Sequence, residues 1–159
     1  MNQSDLHDVE AFAARLQGAG RLLALDLGSK TIGLAISDSM WTVASPLHTI
    51  KRTKFSKDAA ALQEIVAREY IHGLVIGWPI NMNGTEGPRC QATSAFQRNL
   101  SRLMALPMMY WDERLSSVAA ERAMLEADLS RAKRAERIDS VAASVILQAA
   151  LDRLYEFRR

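Results

Sequence analysis

The chain has a single cysteine, Cys90. One thiol makes no intramolecular disulfide and builds no cysteine-ligated zinc centre. Its place after Pro88 and Arg89, where a helix starts, marks it for packing rather than nucleophilic chemistry. Long apolar runs are also missing, and none approaches the roughly 20 residues needed to cross a bilayer. The polar, acidic opening SDLHDVEAF lacks the basic segment and apolar core of a signal peptide. Internal repeats and low-complexity segments are absent, and His7, His48 and His72 have no metal-ligand spacing. These absences argue against a membrane protein and a disulfide scaffold, and they predict a cytoplasmic protein.

A large excess of one charge is lacking too. The formal net charge is +2 over 159 residues, which permits a nucleic-acid partner without requiring one. The basic residues cluster, however. Lys51, Arg52, Lys54 and Lys57 form one group, and Arg131, Lys133, Arg134 and Arg137 another. A solvated surface accounts for either group taken alone. The length suits one domain enclosing a single core.

Hydrophobic patterning predicts an α/β fold. Ser4 or Asp5 can cap a short helix with Val9, Phe12, Ala13 and Leu16 on one face, which Gly18 and Gly20 end. Residues 1–20 then form a helical arm that packs on the domain spanning 21–159. LLALDLG reads as a strand buried on both faces, Gly28 as a tight turn, and IGLAISD as the returning strand of a hairpin. A third strand is expected near Leu47 to Lys51. A helix capped by Ser56 follows, with Leu62, Ile65 and Val66 inward, and GLVIGWP is a short buried strand. Pro88 opens another helix, burying Phe96, Leu100, Leu103 and Met104. PMMYWDE is a strand, SSVAAERAMLEADL a helix, and a basic linker leads to a last helix from about Arg137 to Tyr155. A leading antiparallel meander joined to alternating helices and strands gives a sheet of mixed direction.

Asp26 is the residue that patterning alone leaves unexplained. A carboxylate inside an apolar strand is costly unless it is paired, hydrogen-bonded or metal-bound. It can cap the turn at Gly28, or project from the C-terminal end of a strand, where α/β sheets place ligands. Gly28 allows close backbone approach, Gly33 keeps the second strand slim, and Lys30 sits on the hairpin tip within reach of a phosphate. Metal-dependent phosphodiester hydrolysis needs several carboxylates. Asp112 and Glu113 end an apolar strand, where they also suit a helix start beside Arg114. Asp139 falls in the first turn of the expected last helix, with Ala142 and Ala143 letting that helix approach the sheet. In GWPINMNGTEGPR, Gly84, Gly87 and the helix opening at Pro88 form a candidate anion site with Arg89. Glu86 is a further candidate ligand or a first-turn acid, and Trp78 and Trp111 suit partial burial at strand ends.

With these residues in hand, the chain resembles the YqgF/RuvX family. These are ribonuclease-H-like nucleases of the 16S rRNA precursor, related to Holliday-junction resolvases. The resemblance runs from about Arg21 to the C-terminus and rests on DLGSKTIGLAISD, GWPINMNGTEGPR, DERLSS and IDSVAASVILQ in that order. It implies a five-stranded mixed sheet flanked by helices and hydrolysis of phosphodiesters with Mg2+ or Mn2+ in maturing the 5′ end of the precursor. Asp26 matches the family's first-strand acid, Glu113 lies in its DER motif with Asp112 in reserve, and Asp139 matches the acid opening its last helix. Those three acids are the expected metal ligands and catalytic residues, and Lys30, Arg89 and Arg114 the expected contacts to the nucleic acid. Ribosomal precursor particles are implied partners, and either a monomer or a homodimer is compatible. Branched DNA as substrate, or a non-catalytic nucleic-acid-binding assembly factor, remains open. Asp-x-Gly before a hairpin glycine also resembles the first phosphate loop of the actin and sugar-kinase superfamily. Those proteins close two lobes around a nucleotide, and this chain has room for one.

Overall fold

The computed structural model describes residues 3–128 and 131–158, the side chains of 128–137 excepted. Five strands form one sheet: β1 (Arg21–Leu27), β2 (Thr31–Ser37), β3 (Ala44–Lys51), β4 (Ile71–Trp78) and β5 (Met108–Asp112). Their spatial order is β3-β2-β1-β4-β5. β1 and β2 pair antiparallel, as do β2 and β3, whereas β4 lies parallel to β1 and β5 parallel to β4. The expected mixed sheet is present, with β1 at its centre. β3 begins at Ala44, before Pro46 rather than after it.

Period-two alternation divides the central strands between two cores. Leu23, Leu25 and Leu27 face a core covered by α2 (Phe55–Arg68) and α3 (Pro88–Ser101). Leu22 and Ala24 face the other, covered by α1 (Val9–Arg15) and α5 (Arg131–Leu154). Small side chains line this second face at Ala24 and Ala35, and Ala142, Ala143 and Ala150 answer them from α5. Large side chains would hold the layers further apart, so the alanines set how closely helix and sheet approach. α4 (Val118–Asp128) contributes Val118 to the same core.

The arm joins both cores. Leu6, in a short 3-10 helix at Gln3–His7, packs with the α2/α3 side, while Phe12, Ala13 and Leu16 pack with the α5 side. Asp8, rather than Ser4 or Asp5, caps α1, its carboxylate accepting from the Ala11 N–H at 3.1 Å. Lys54 holds the cap position of α2 in place of Ser56. Pro88 opens α3 as expected, and Phe96, Leu100 and Met104 are buried, but Leu103 is half exposed because the chain leaves the helix at Ser101. Cys90, Trp78 and Trp111 are buried. Trp41, which the sequence reading passed over, is buried as well. It sits in the left-handed region at φ 61° and donates from its indole N–H to the Gly20 carbonyl at 2.9 Å.

The last helix starts at Arg131, six residues before the expected Arg137, so the basic stretch is helix rather than linker. Arg, Ala, Lys and Glu are all good helix formers, and they extend the apolar-periodic segment toward the N-terminus. The side chains of Arg131, Lys133, Arg134 and Arg137 lie outside the described residues. In the other basic group, Lys51, Lys54 and Lys57 are exposed. Arg52 is engaged: it donates to the Gly28 carbonyl and lies 5.3 Å over the Phe96 ring.

Candidate active site

Asp26 continues the face begun by Leu22 and Ala24, so its side chain points toward α5 just where β1 ends. It is 6% exposed. Its partner across the β1–β2 ladder is Gly33, and the missing side chain there makes room for α5. A Cβ on Gly33 would fall 2.1 Å from the Asp139 carbonyl oxygen. Helix backbone therefore rests directly on the strand beside Asp26, and Asp139 comes with it. The helix starts earlier than expected, so Asp139 stands in its third turn and is not a first-turn acid. Packing of α5 against Gly33 holds it there, rather than attraction to a helix N-terminus. Its carboxylate accepts a 2.5 Å hydrogen bond from the Thr31 hydroxyl.

Glu113 follows β5, over Gly77 of β4. A Cβ on Gly77 would lie 3.5 Å from the Glu113 carboxyl carbon. Asp112 takes a different path. It caps the turn at Glu113–Leu115 through the Arg114 N–H and holds the Arg114 guanidinium by paired contacts, the shortest 2.7 Å. The two adjacent acids thus divide: Asp112 is spent on Arg114, while Glu113 turns toward Asp26.

What joins Asp26 to Glu113 is Arg122 of α4, a residue the sequence reading missed. Its Nη2 donates to Asp26 Oδ2 at 2.8 Å and to Glu113 Oε1 at 3.2 Å. A signal for it exists in the sequence. Arg122 lies four residues after Val118, hence on the helix face that Val118 buries.

The electrostatics are those of a cation-seeking cluster. Burial pushes the Glu113 carboxyl above its ordinary range, and the Asp26 carboxylate pushes it further, while Arg122 and Arg89 pull it back. Asp139 is raised likewise, first by burial and then by Asp26, with the Thr31 hydroxyl opposing. Partial burial of Arg122 works against its charge, but Asp26 and Glu113 outweigh it and its affinity for the proton rises. Asp112 moves the other way, held low by Arg114.

The expected phosphate contacts are spread around this cluster. Arg89 and Arg114 line a cleft of about 350 Å³ beside Glu113, floored by Pro79, Ile80 and Val118. Arg89 also borders a second cleft, of about 470 Å³, against Gly28, Ser29 and Arg52. Lys30 is exposed on the hairpin tip and lines neither. Glu86 is exposed in the loop before α3.

Residues 20–153 match the family model for RuvX, described as Holliday junction resolvase. The chain belongs to the RuvX family. Among curated relatives, a protein of Rhodobacter capsulatus is 59% identical over 151 residues, covering 95% of each chain. One from Ruegeria sp. is 58% identical, covering 96% of this chain and 98% of its own. One from Paracoccus denitrificans is 60% identical, covering 92% and 93%. Each bears the name "Putative pre-16S rRNA nuclease". Among solved structures, Thermus thermophilus RuvC in complex with a Holliday junction substrate superposes with TM-score 0.52 at 13% identity, covering 87% of this chain and 95% of that one. This likeness shows the fold, a ribonuclease-H-like α/β sheet, as the RuvX motifs implied.

A hard divalent cation suits the donor chemistry of this RuvX protein, since Asp26, Glu113 and Asp139 offer only carboxylate oxygens. A guanidinium nitrogen already stands where two of them converge. Among the described residues, no three His, Cys, Asp or Glu side chains are arranged to hold a metal ion as they stand. The cluster is therefore acidic enough for the ion but closed on Arg122.

Proposed function

We propose that this RuvX protein is a divalent-metal-dependent nuclease that hydrolyses phosphodiester bonds of the 16S rRNA precursor. Family membership and the names of the relatives support the reaction and substrate. The convergence of Asp26 and Glu113 on one cationic atom, with Asp139 packed alongside, carries the assignment to residues. Asp26, Glu113 and Asp139 would hold Mg2+ or Mn2+. When bound, the ion supplies an activated water and charge stabilisation at the leaving oxygen. Thr31 orients Asp139 through its hydroxyl. Arg89 and Arg114 hold the phosphate in the cleft at Glu113, with Asp112 steadying Arg114, and Lys30 contacts the strand further out. Such contacts position a nucleic acid without reading its sequence, so target choice rests on RNA shape or on proteins of the ribosomal precursor particle.

The first 20 residues act in this reading as an arm on a nuclease domain spanning 21–159, in keeping with a family match that begins at residue 20. No described helix is long and apolar enough to cross a membrane, and an rRNA substrate places the work in the cytoplasm. The deciding experiment compares wild type with Asp26→Asn on precursor rRNA and on a four-way DNA junction, each with and without Mg2+ and Mn2+. The proposal expects metal-dependent cleavage of the RNA that the variant loses. Cleavage confined to the junction would favour resolvase action, which the family description supports. Equal cleavage by both proteins would refute the assignment of Asp26.

A further inference from the structure

Arg122 stands between two of the three carboxylates proposed to hold a divalent cation. A single nitrogen, Nη2, lies 2.8 Å from Asp26 and 3.2 Å from Glu113. A divalent ion binding those oxygens competes with the guanidinium for them, so occupancy by one weakens binding of the other, and the coupling is reciprocal. The element that carries Arg122 is lightly held. Of residues 118–127 only Val118 is buried, and Met124 is 62% exposed. The guanidinium also has somewhere to go, because Arg122 already lines the cleft beside Glu113 together with Arg89 and Arg114.

We propose that Arg122 is a movable cation: it bridges Asp26 and Glu113 in the metal-free protein, yields to the divalent ion, and then turns into the cleft to position a substrate phosphate beside Arg89 and Arg114. The inference rests on the metal-dependent reading above and adds a residue and an order of events to it. The exchange keeps a cation against Asp26 and Glu113 in both states. It delivers an additional phosphate contact only once metal is present. Arg122 is thus a positioning residue for the reaction, and α4 is the element whose small displacement loads the site.

The test titrates Mn2+ calorimetrically into the full-length protein without nucleic acid, comparing wild type, Arg122→Gln and Arg122→Lys, with Asp26→Asn as the blank. If Arg122 leaves the carboxylates only about a tenth of the time, removing it tightens Mn2+ by about tenfold. Lysine, which keeps the competing charge, stays near wild type. Equal or weaker binding by Arg122→Gln overturns the exchange while leaving the metal site intact. Absence of Mn2+ binding in every protein overturns the metal reading and the exchange with it. A second arm measures a short single-stranded RNA in saturating Ca2+. Arg122→Gln, though better loaded, should bind it more weakly by about threefold or more, and undiminished binding refutes the phosphate role. A third measurement needs no variant: hydrogen exchange of α4 amides in wild type should quicken on Mn2+ addition. Slowing there would overturn the proposal even if Arg122→Gln fails to fold.

Discussion

Gly33→Ala tests the architecture of the site without replacing any acid. The added Cβ would fall 2.1 Å from the Asp139 carbonyl oxygen, 2.4 Å from its carbon and 3.0 Å from its Cβ. The two nearest atoms are helix backbone, which cannot rotate away as a side-chain tip can. Restoring an ordinary contact requires α5 to retreat by roughly 1 Å or more. Overpacking of this kind costs about 1–3 kcal/mol, and for a chain of this size that lowers Tm by roughly 3–10 °C. The functional loss is larger than the stability loss, because a misplacement of about 1 Å costs on the order of 100-fold in rate. Gly77→Ala is the internal control. Its Cβ meets the flexible end of Ile146 at 3.2 Å and Glu113 at 3.5 Å, so it should cost less than about 1 kcal/mol. Denaturant unfolding of both variants, together with metal-dependent cleavage, reads both effects. If Gly33→Ala unfolds with the wild-type midpoint, close helix–strand contact is not what positions Asp139.

Three further outcomes follow from the same structure. Glu113 and Asp139 bind protons more readily folded than unfolded, so these two groups should add stability to the metal-free protein as pH falls from neutral toward their ordinary values of 4.5 and 3.8, and remove it as pH rises, opposite in sign to Asp38 and Asp112. Melting curves across that range should show the slope reduced in Glu113→Gln, and an unchanged slope would refute the assignment. Trp41→Ala, which empties a buried site and leaves the Gly20 carbonyl without its donor, should cost about 3–5 kcal/mol in denaturant unfolding. Asp112→Ala should retain metal-dependent cleavage to within several-fold, weakened mainly through a less steady Arg114, whereas Glu113→Gln should abolish it. A reversed order would exchange the roles of the two acids.

Much of the architecture was legible because the central strands are buried on both faces and the helices on one, which leaves distinct patterns at Leu22–Leu27 and in α2. Asp26 stood out for the same reason, as the polar interruption of an apolar run. The RuvX motifs supplied the ribonuclease-H-like fold and the roles expected of the acids, which periodicity does not contain. Besides the helix caps, the start of β3 and the exposure of Leu103, three features escaped. Arg122 was hidden because an arginine on a short amphipathic helix ordinarily faces solvent, and its partners lie 96 and 9 residues away. The start of α5 was misplaced because clustered charge at Arg131–Arg137 suggested a linker, although those residue types favour helix. Trp41 was hidden because it sits between strands in a left-handed conformation, where neither helical nor strand periodicity applies.

The arm that spans both cores also lies against β5, the last strand on one side of the sheet. An uncovered outer strand offers free amides and carbonyls to any extended peptide that meets it. On the opposite side β3 protects itself differently. Pro46 within it has no N–H to give, the ladder to β2 slips between Gly33 and Ala35, and Lys51 ends the strand with a charge. Neither margin invites a neighbouring molecule to extend the sheet. Self-association of this protein would therefore proceed through helical or loop surfaces, and a two-fold assembly around a branched nucleic acid would be built without a continuous intermolecular sheet.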